Sequence, residues 1–217
     1  WGRDELRAYM EARDLPRHPL VAKGFRSIGC MPCTTPVAEG EDERVLRTVL
    51  AMREEGLTRP ILIGRPEVIS ARSERIAIPL VAERDYEIVN PESDSRYREY
   101  WETYHRIMQR RGVTPDLARA IMRTNTTAIG AVMVQRGDAD SLICGTFGQY
   151  LWHLKYVREV LGTDELRPVG ALSLMIHEKG VLFVADTQVN PEPSAEQIAD
   201  TVIGAARHVR RFGLAPQ

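Results

Sequence analysis

The chain has 217 residues, with 29 Lys and Arg against 30 Asp and Glu, a formal net charge of −1 and 43% hydrophobic residues. That balance excludes a disordered chain, a collagen-like repeat and a disulfide-rich miniprotein. No apolar run approaches the roughly 20 residues of a membrane-spanning helix, and near-zero charge argues against nucleic-acid binding by bulk electrostatics. Three cysteines, Cys30, Cys33 and Cys144, are an odd number in a sequence whose first residues do not read as a leader. A reduced, cytoplasmic protein is the expectation. The sequence starts at Trp1 and stops at Gln217 after a helical stretch, so a piece of something longer is also expected.

In chain order, Leu6, Tyr9 and Met10 have helical spacing behind Asp4 and Glu5, and Pro16, Pro19 and Gly24 then break regular structure. Cys30-Met31-Pro32-Cys33 follows in a loop that Pro36 closes. From Glu39 onward strand and helix alternate. Glu41-Asp42-Glu43 puts three anions on a helix start, with Val45, Leu46, Val49, Leu50 and Met52 as its apolar face and Gly56 as its stop. Pro60-Ile61-Leu62-Ile63-Gly64 reads as a strand buried on both faces of a parallel sheet. A helix near 66–75 leads to a strand over 86–89, then helices near 95–110, 115–123 and 126–136. A strand at 141–145 and a helix near 149–161 come next. Residues 169–177 and 181–186 read as strands paired around Glu178-Lys179-Gly180, and a helix of roughly 194–211 follows, with Ser194 and Gln197 as its capping box. Repeated βα units predict an α/β fold with a mostly parallel, helix-covered sheet. Pro36 removes a ladder donor, so residues 33–38 are expected to form a weak edge strand or a loop.

Two family resemblances cover different parts of the chain. Asp14-Leu15-Pro16-Arg17-His18-Pro19-Leu20 and Ser27-Ile28-Gly29-Cys30-Met31-Pro32-Cys33-Thr34, within residues 1–44, resemble the C-terminal part of adenylyl-sulfate and phosphoadenylyl-sulfate reductases. Gly40-Glu41-Asp42-Glu43-Arg44-Val45-Leu46-Arg47 and Arg59-Pro60-Ile61-Leu62-Ile63-Gly64-Arg65-Pro66 resemble the phosphate acetyltransferase (phosphotransacetylase) fold. Ile129-Gly130-Ala131-Val132-Met133-Val134-Gln135-Arg136-Gly137-Asp138-Ala139-Asp140, Ile143-Cys144-Gly145-Thr146 and Phe183-Val184-Ala185-Asp186-Thr187-Gln188 are closer to the phosphotransacetylase-like C-terminal domain of bacterial multidomain NADP-dependent malic enzymes. The two resemblances overlap at 38–44, where both families carry Gly-Glu-Asp-Glu-Arg, so a chimera joined there is expected. The implied division is 1–37 reductase-like, 38–162 a first phosphotransacetylase-like lobe, and 163–217 the start of an incomplete second lobe.

The resemblance also bears on chemistry. Catalytic phosphotransacetylases hold phosphate with arginines. Aligned on Gly112, Met108 stands where one such arginine belongs, and Lys155 stands at the second, keeping the charge but not the planar fork. Acetyltransferase chemistry is therefore read as absent, and the subgroup implies acetyl-CoA sensing and support of oligomer assembly. Candidate ligand-binding residues are Arg110, Arg111, Lys155 and Asp186, the last because ligands gather at the C-terminal ends of strands. Arg106, Arg110, Arg111, Arg119 and Arg123 form a basic cluster that is either a solvated face or an anion site for coenzyme A phosphates. His105 and His153 read as packing or surface residues, and Cys144 as a small apolar one. Cys30 and Cys33 are half of the metal-binding motif that the reductase resemblance implies, and two thiolates are too few for an iron–sulfur cluster. No resident cofactor, nucleic acid or membrane is expected; acetyl-CoA or acetyl phosphate and self-association are. An acetyltransferase and a sulfonucleotide-reductase remnant are the two alternatives.

Overall fold

A computed structural model of the chain describes residues 36–56, 60–162, 169–177 and 180–216. These fall into two compact units, one holding residues 36–162 and the other residues 169–216. The predicted helix around Leu6, the Cys30–Cys33 loop and the Glu178-Lys179 turn lie outside the described residues.

In the larger unit, strands β1 (Pro36–Glu39), β2 (Ile61–Ile63), β3 (Glu87–Val89) and β4 (Ser141–Ile143) form one sheet in the order β3-β2-β1-β4, every pair parallel. Parallel neighbours need crossovers. Helices α1 (Glu43–Glu54) and α2 (Pro66–Arg75) supply the first two. The return to β4 runs through α3 (Tyr97–Met108), a 3-10 turn (Gln109–Arg111), α4 (Pro115–Thr124) and α5 (Thr126–Arg136). Helix α6 (Tyr150–Val160) follows β4. Each lies within two or three residues of its predicted place. The exception in kind is β1, which is neither a loop nor an edge strand but lies in the sheet interior between β2 and β4. Pro36 is tolerated there because it is the first residue of the strand: it aligns with Ser141 of β4, and the β2 register starts one residue later, at Val37 opposite Ile61.

The alternation of β2 sorts the core into two layers. Leu62 packs with Ala38, with Leu46 and Val49 of α1 and with Ile69 of α2. Ile61, Ile63 and Val89 pack with Tyr100 and Tyr104 of α3 and with Ala128 through Met133 of α5. Helix α5 is buried without a break from Thr127 to Met133, as expected for a helix apolar all round. Asn125 caps it, its side chain accepting from Ala128 N at 2.9 Å.

The smaller unit is an antiparallel hairpin of β5 (Leu172–His177) and β6 (Gly180–Ala185), registered Leu174 to Phe183, followed by α7 (Ala195–Arg211). The capping box at Ser194 and Gln197 is present, with both hydrogen bonds formed at 2.8 and 3.2 Å. The ring centroids of Phe183 and Phe212 are 5.3 Å apart. Among the described residues no helix is long and apolar enough to cross a membrane.

Between α2 and β3 the buried carboxylate of Asp85 accepts from Val81 N at 2.7 Å and from Arg84 through Nε and Nη2 at 3.0 and 2.8 Å. The Arg84 guanidinium holds this carboxyl down at about 2, below its ordinary 3.8. The charged form is favoured in the folded state, so its contribution is complete above about pH 4 and is lost as pH falls through about 2. Urea midpoints measured from pH 5 to pH 2 will fall, and Asp85→Asn will start lower and fall less steeply.

Candidate functional site

The strand order makes the chain run from β1 outward to β3, then return to the opposite side of β1 as β4. The C-terminal edge of such a sheet is where open α/β folds form clefts. A cleft of about 550 Å³ occurs there, walled by Glu39 at the end of β1, Ile63 at the end of β2 and Asn90 just after β3. Arg65, Arg72 and Arg123 complete its polar wall.

Glu39 is 3% exposed. One carboxylate oxygen accepts from Thr126 Oγ1 at 3.1 Å, and the other from Thr146 N at 3.2 Å and Thr146 Oγ1 at 2.5 Å. The end of β1 is thereby tied to the first residue of α5 and to the loop after β4. The next residue, Gly40, has no room for a side chain: a Cβ there would lie 2.7 Å from Leu62 Cβ. Glu41 is taken up by Arg65, which donates from N, Nε and Nη2 at 3.0 Å each, and this guanidinium holds the Glu41 carboxyl below the usual range. Asp42 accepts from Arg44 N at 2.8 Å, capping α1, and from Arg44 Nη2 at 2.8 Å.

The loop that follows β4 is organised from beneath by His153, which is buried on α6. Its Nε2 donates to Phe147 O at 2.6 Å, since a carbonyl can only accept, and its Nδ1 lies 2.7 Å from Thr127 Oγ1. Burial pushes the neighbouring Cys144 thiol up to about 11, which makes it a poor nucleophile.

The candidate residues of the larger unit do not meet in its cleft. Arg110 and Arg111 are exposed on the 3-10 turn and are not in the cleft wall. Lys155 is 60% exposed on α6, 3.8 Å from Glu159 and 5.5 Å from the Tyr156 ring centroid, also outside that wall. Asp186 belongs to the smaller unit, where it accepts from Asn190 Nδ2 at 2.7 Å. Cys30 and Cys33 lie outside the described residues, and among the described ones no group of three or more His, Cys, Asp or Glu could hold a metal ion. Of the basic cluster, Arg119 pairs with Asp116 at 2.6 Å and stacks on Trp101, while Arg123 alone reaches the cleft. Glu39, Arg65 and Arg72 were missed, although the strand-end argument applied to Asp186 applies equally to Glu39. Met108 is 3% exposed within the core.

Fold and cleft together define an α/β protein with a parallel sheet and a polar cleft at its C-terminal edge. Residues 35–217 match the phosphate acetyl/butaryl transferase family, and residues 1–36 match the phosphoadenosine phosphosulfate reductase domain. The chain belongs to the phosphate acetyl/butaryl transferase family. It is 49% identical to an NAD-dependent malic enzyme of Rhizobium meliloti over 83% of the chain and 24% of that enzyme. With an NADP-dependent malic enzyme of Salmonella typhimurium it shares 42% identity over 99% of the chain and 28% of the enzyme. The chain thus spans about a quarter of the length of these relatives. A phosphotransacetylase from Streptococcus pyogenes has the same fold, with a TM-score of 0.74, 22% identity, and coverage of 84% of this chain and 55% of that one.

Glu39→Ala will lower stability by about 1–3 kcal/mol, since the Thr126 and Thr146 donors lose their acceptor. Glu39→Gln, which keeps one acceptor oxygen, will cost less. Urea unfolding of the two variants at pH 7 tests the order.

Proposed function

We propose that this chain is a malic-enzyme-type phosphotransacetylase-like domain that senses acetyl-CoA and supports assembly without acetyl transfer of its own. What supports this reading most is Met108. It stands where the resemblance implies a phosphate-holding arginine, and it is 3% exposed in the core, with no path to a ligand. Lys155, at the second such position, is engaged by Glu159 and lies outside the cleft wall. The cleft itself is retained and polar, which suits binding without turnover. Acetyl-CoA acts as an effector only through different affinities for two states of the parent assembly. Met175 and Leu182 are exposed as a cross-strand pair on one face of the hairpin, and Ile176 and Val181 on the other, and such exposed apolar surface supports self-association. Acetyl transfer from acetyl phosphate to coenzyme A, releasing phosphate, is the alternative that family membership favours.

With purified chain, acetyl-CoA will bind saturably in calorimetry, and acetyl phosphate plus coenzyme A will form no acetyl-CoA above the protein-free rate. Turnover that scales with protein concentration, or no acetyl-CoA binding, overturns the reading.

A further inference from the structure

We propose that residues 145–148 form a hinged strap at the edge of the cleft, and that His153 is the latch that holds it down. The strap follows β4 and has a glycine at each end. Gly145 and Gly148 take left-handed backbone, with φ of 91° and 85°, a conformation that other residues adopt only at a cost. Between them stand Thr146 and Phe147, and among the described residues the strap's ties to the rest of the unit fall on these two. Thr146 N and Oγ1 donate to Glu39 at 3.2 and 2.5 Å, Arg44 donates to Thr146 O, and His153 Nε2 donates to Phe147 O at 2.6 Å.

The strap lacks apolar anchorage. No residue from 145 to 149 belongs to either buried cluster of the described core, and Phe147, which lines the cleft, is 55% exposed. A segment tied by polar bonds can exchange them for water at small net cost, whereas one packed in a core must expose that core to move. The latch is built differently. His153 is 4% exposed on α6, its Nδ1 lies 2.7 Å from Thr127 Oγ1 in the first turn of α5, and the Trp152 ring stands edge-on to it with centroids 4.9 Å apart. The imidazole is thus fixed to the helices and reaches the strap through one bond. Gly148 permits this approach, because a Cβ there would lie 3.0 Å from His153 Nε2. Two glycine hinges, polar ties and a buried latch allow a local opening in which Phe147 leaves the cleft wall while sheet and helices stay in place. Cys144 reports that opening. It adjoins the first hinge, and its thiol is in reach of Thr127 and Glu39, the groups to which latch and strap are bonded.

This inference stands on the geometry of the loop and not on the acetyl-CoA reading. The test labels the full chain with iodoacetamide at fixed pH and follows the peptide containing Cys144 by mass spectrometry, with hydrogen–deuterium exchange on the same samples. The expected result is labelling far slower than in the urea-unfolded chain, yet only weakly dependent on low urea, as for a local opening. His153→Phe keeps a ring beside Trp152 but removes both polar contacts. It will speed labelling about tenfold and raise amide exchange over residues 145–149 without raising it in α5. His153→Gln, whose amide can still donate to Phe147 O, will recover part of the protection, which a space-filling role for residue 153 would not produce. Gly148→Ala sets a methyl group against His153 and strains the hinge. It will open the strap as well, and it decides the matter should His153→Phe fail to fold. Arg47→Gln, on the exposed face of α1, will change nothing. Native labelling as fast as that of the unfolded chain overturns the strap, as does labelling that tracks global unfolding in urea. So does exchange that rises evenly through α5 in His153→Phe, or labelling indifferent to both His153 and Gly148.

Discussion

Glu39 is a carboxylate removed from water, and much of the larger unit is arranged around that fact. A buried charge is costly unless hydrogen bonds replace its hydration. Here three donors do so, one from Thr126 and two from Thr146. Those donors belong to the start of α5 and to the loop after β4, so satisfying one side chain joins the central strand to the elements on either side of the switch point. Helix α5, the most completely buried helix among the described residues, is anchored at its first residue to an interior strand. The loop fixed by the same oxygens carries Phe147, which forms part of the cleft wall.

The charges around the cleft are paired in a graded way. Arg65 and Glu41 are matched in a near-planar fork, and Arg44 closes on Asp42 while also donating to Thr146 O. These pairs hold the β1–α1 and β2–α2 turns together. Arg72 donates to Glu41 O and lies near enough to the Glu41 carboxylate to help hold it down, while Arg123 is positioned by the neutral Tyr97 hydroxyl.

Most of the secondary structure was legible in the sequence because its signals are local. Pro66 and Pro115 sit at helix N-termini, Gly112 and Gly137 take left-handed backbone after helical segments, and Ser194 with Gln197 closes a capping box. The continuous apolar run of Ile61-Leu62-Ile63 marked a strand buried on both faces. The place of β1 was not legible. A proline and few apolar residues describe an edge strand equally well, and the register that leaves Pro36 outside the β2 pairing depends on a partner that is distant in the chain. The site was harder still. Arg110, Arg111, Arg119 and Arg123 look alike in the sequence, and only packing against Tyr97 and Trp101 turns one toward the cleft and another onto an aromatic face.

By itself the sequence determined the α/β class, the order of helices and strands and the phosphotransacetylase family likeness over most of the chain. These rest on periodicity, capping chemistry and residue identity, which act over a few positions or are read directly. The tertiary structure alone decided that β1 lies inside the sheet, that Glu39 is its buried tie to α5 and the loop after β4, and that Arg72 and Arg123 line the cleft. The reason is that the cost of burying a charge, and the partner that offsets it, are set by whatever the fold brings alongside from elsewhere in the chain.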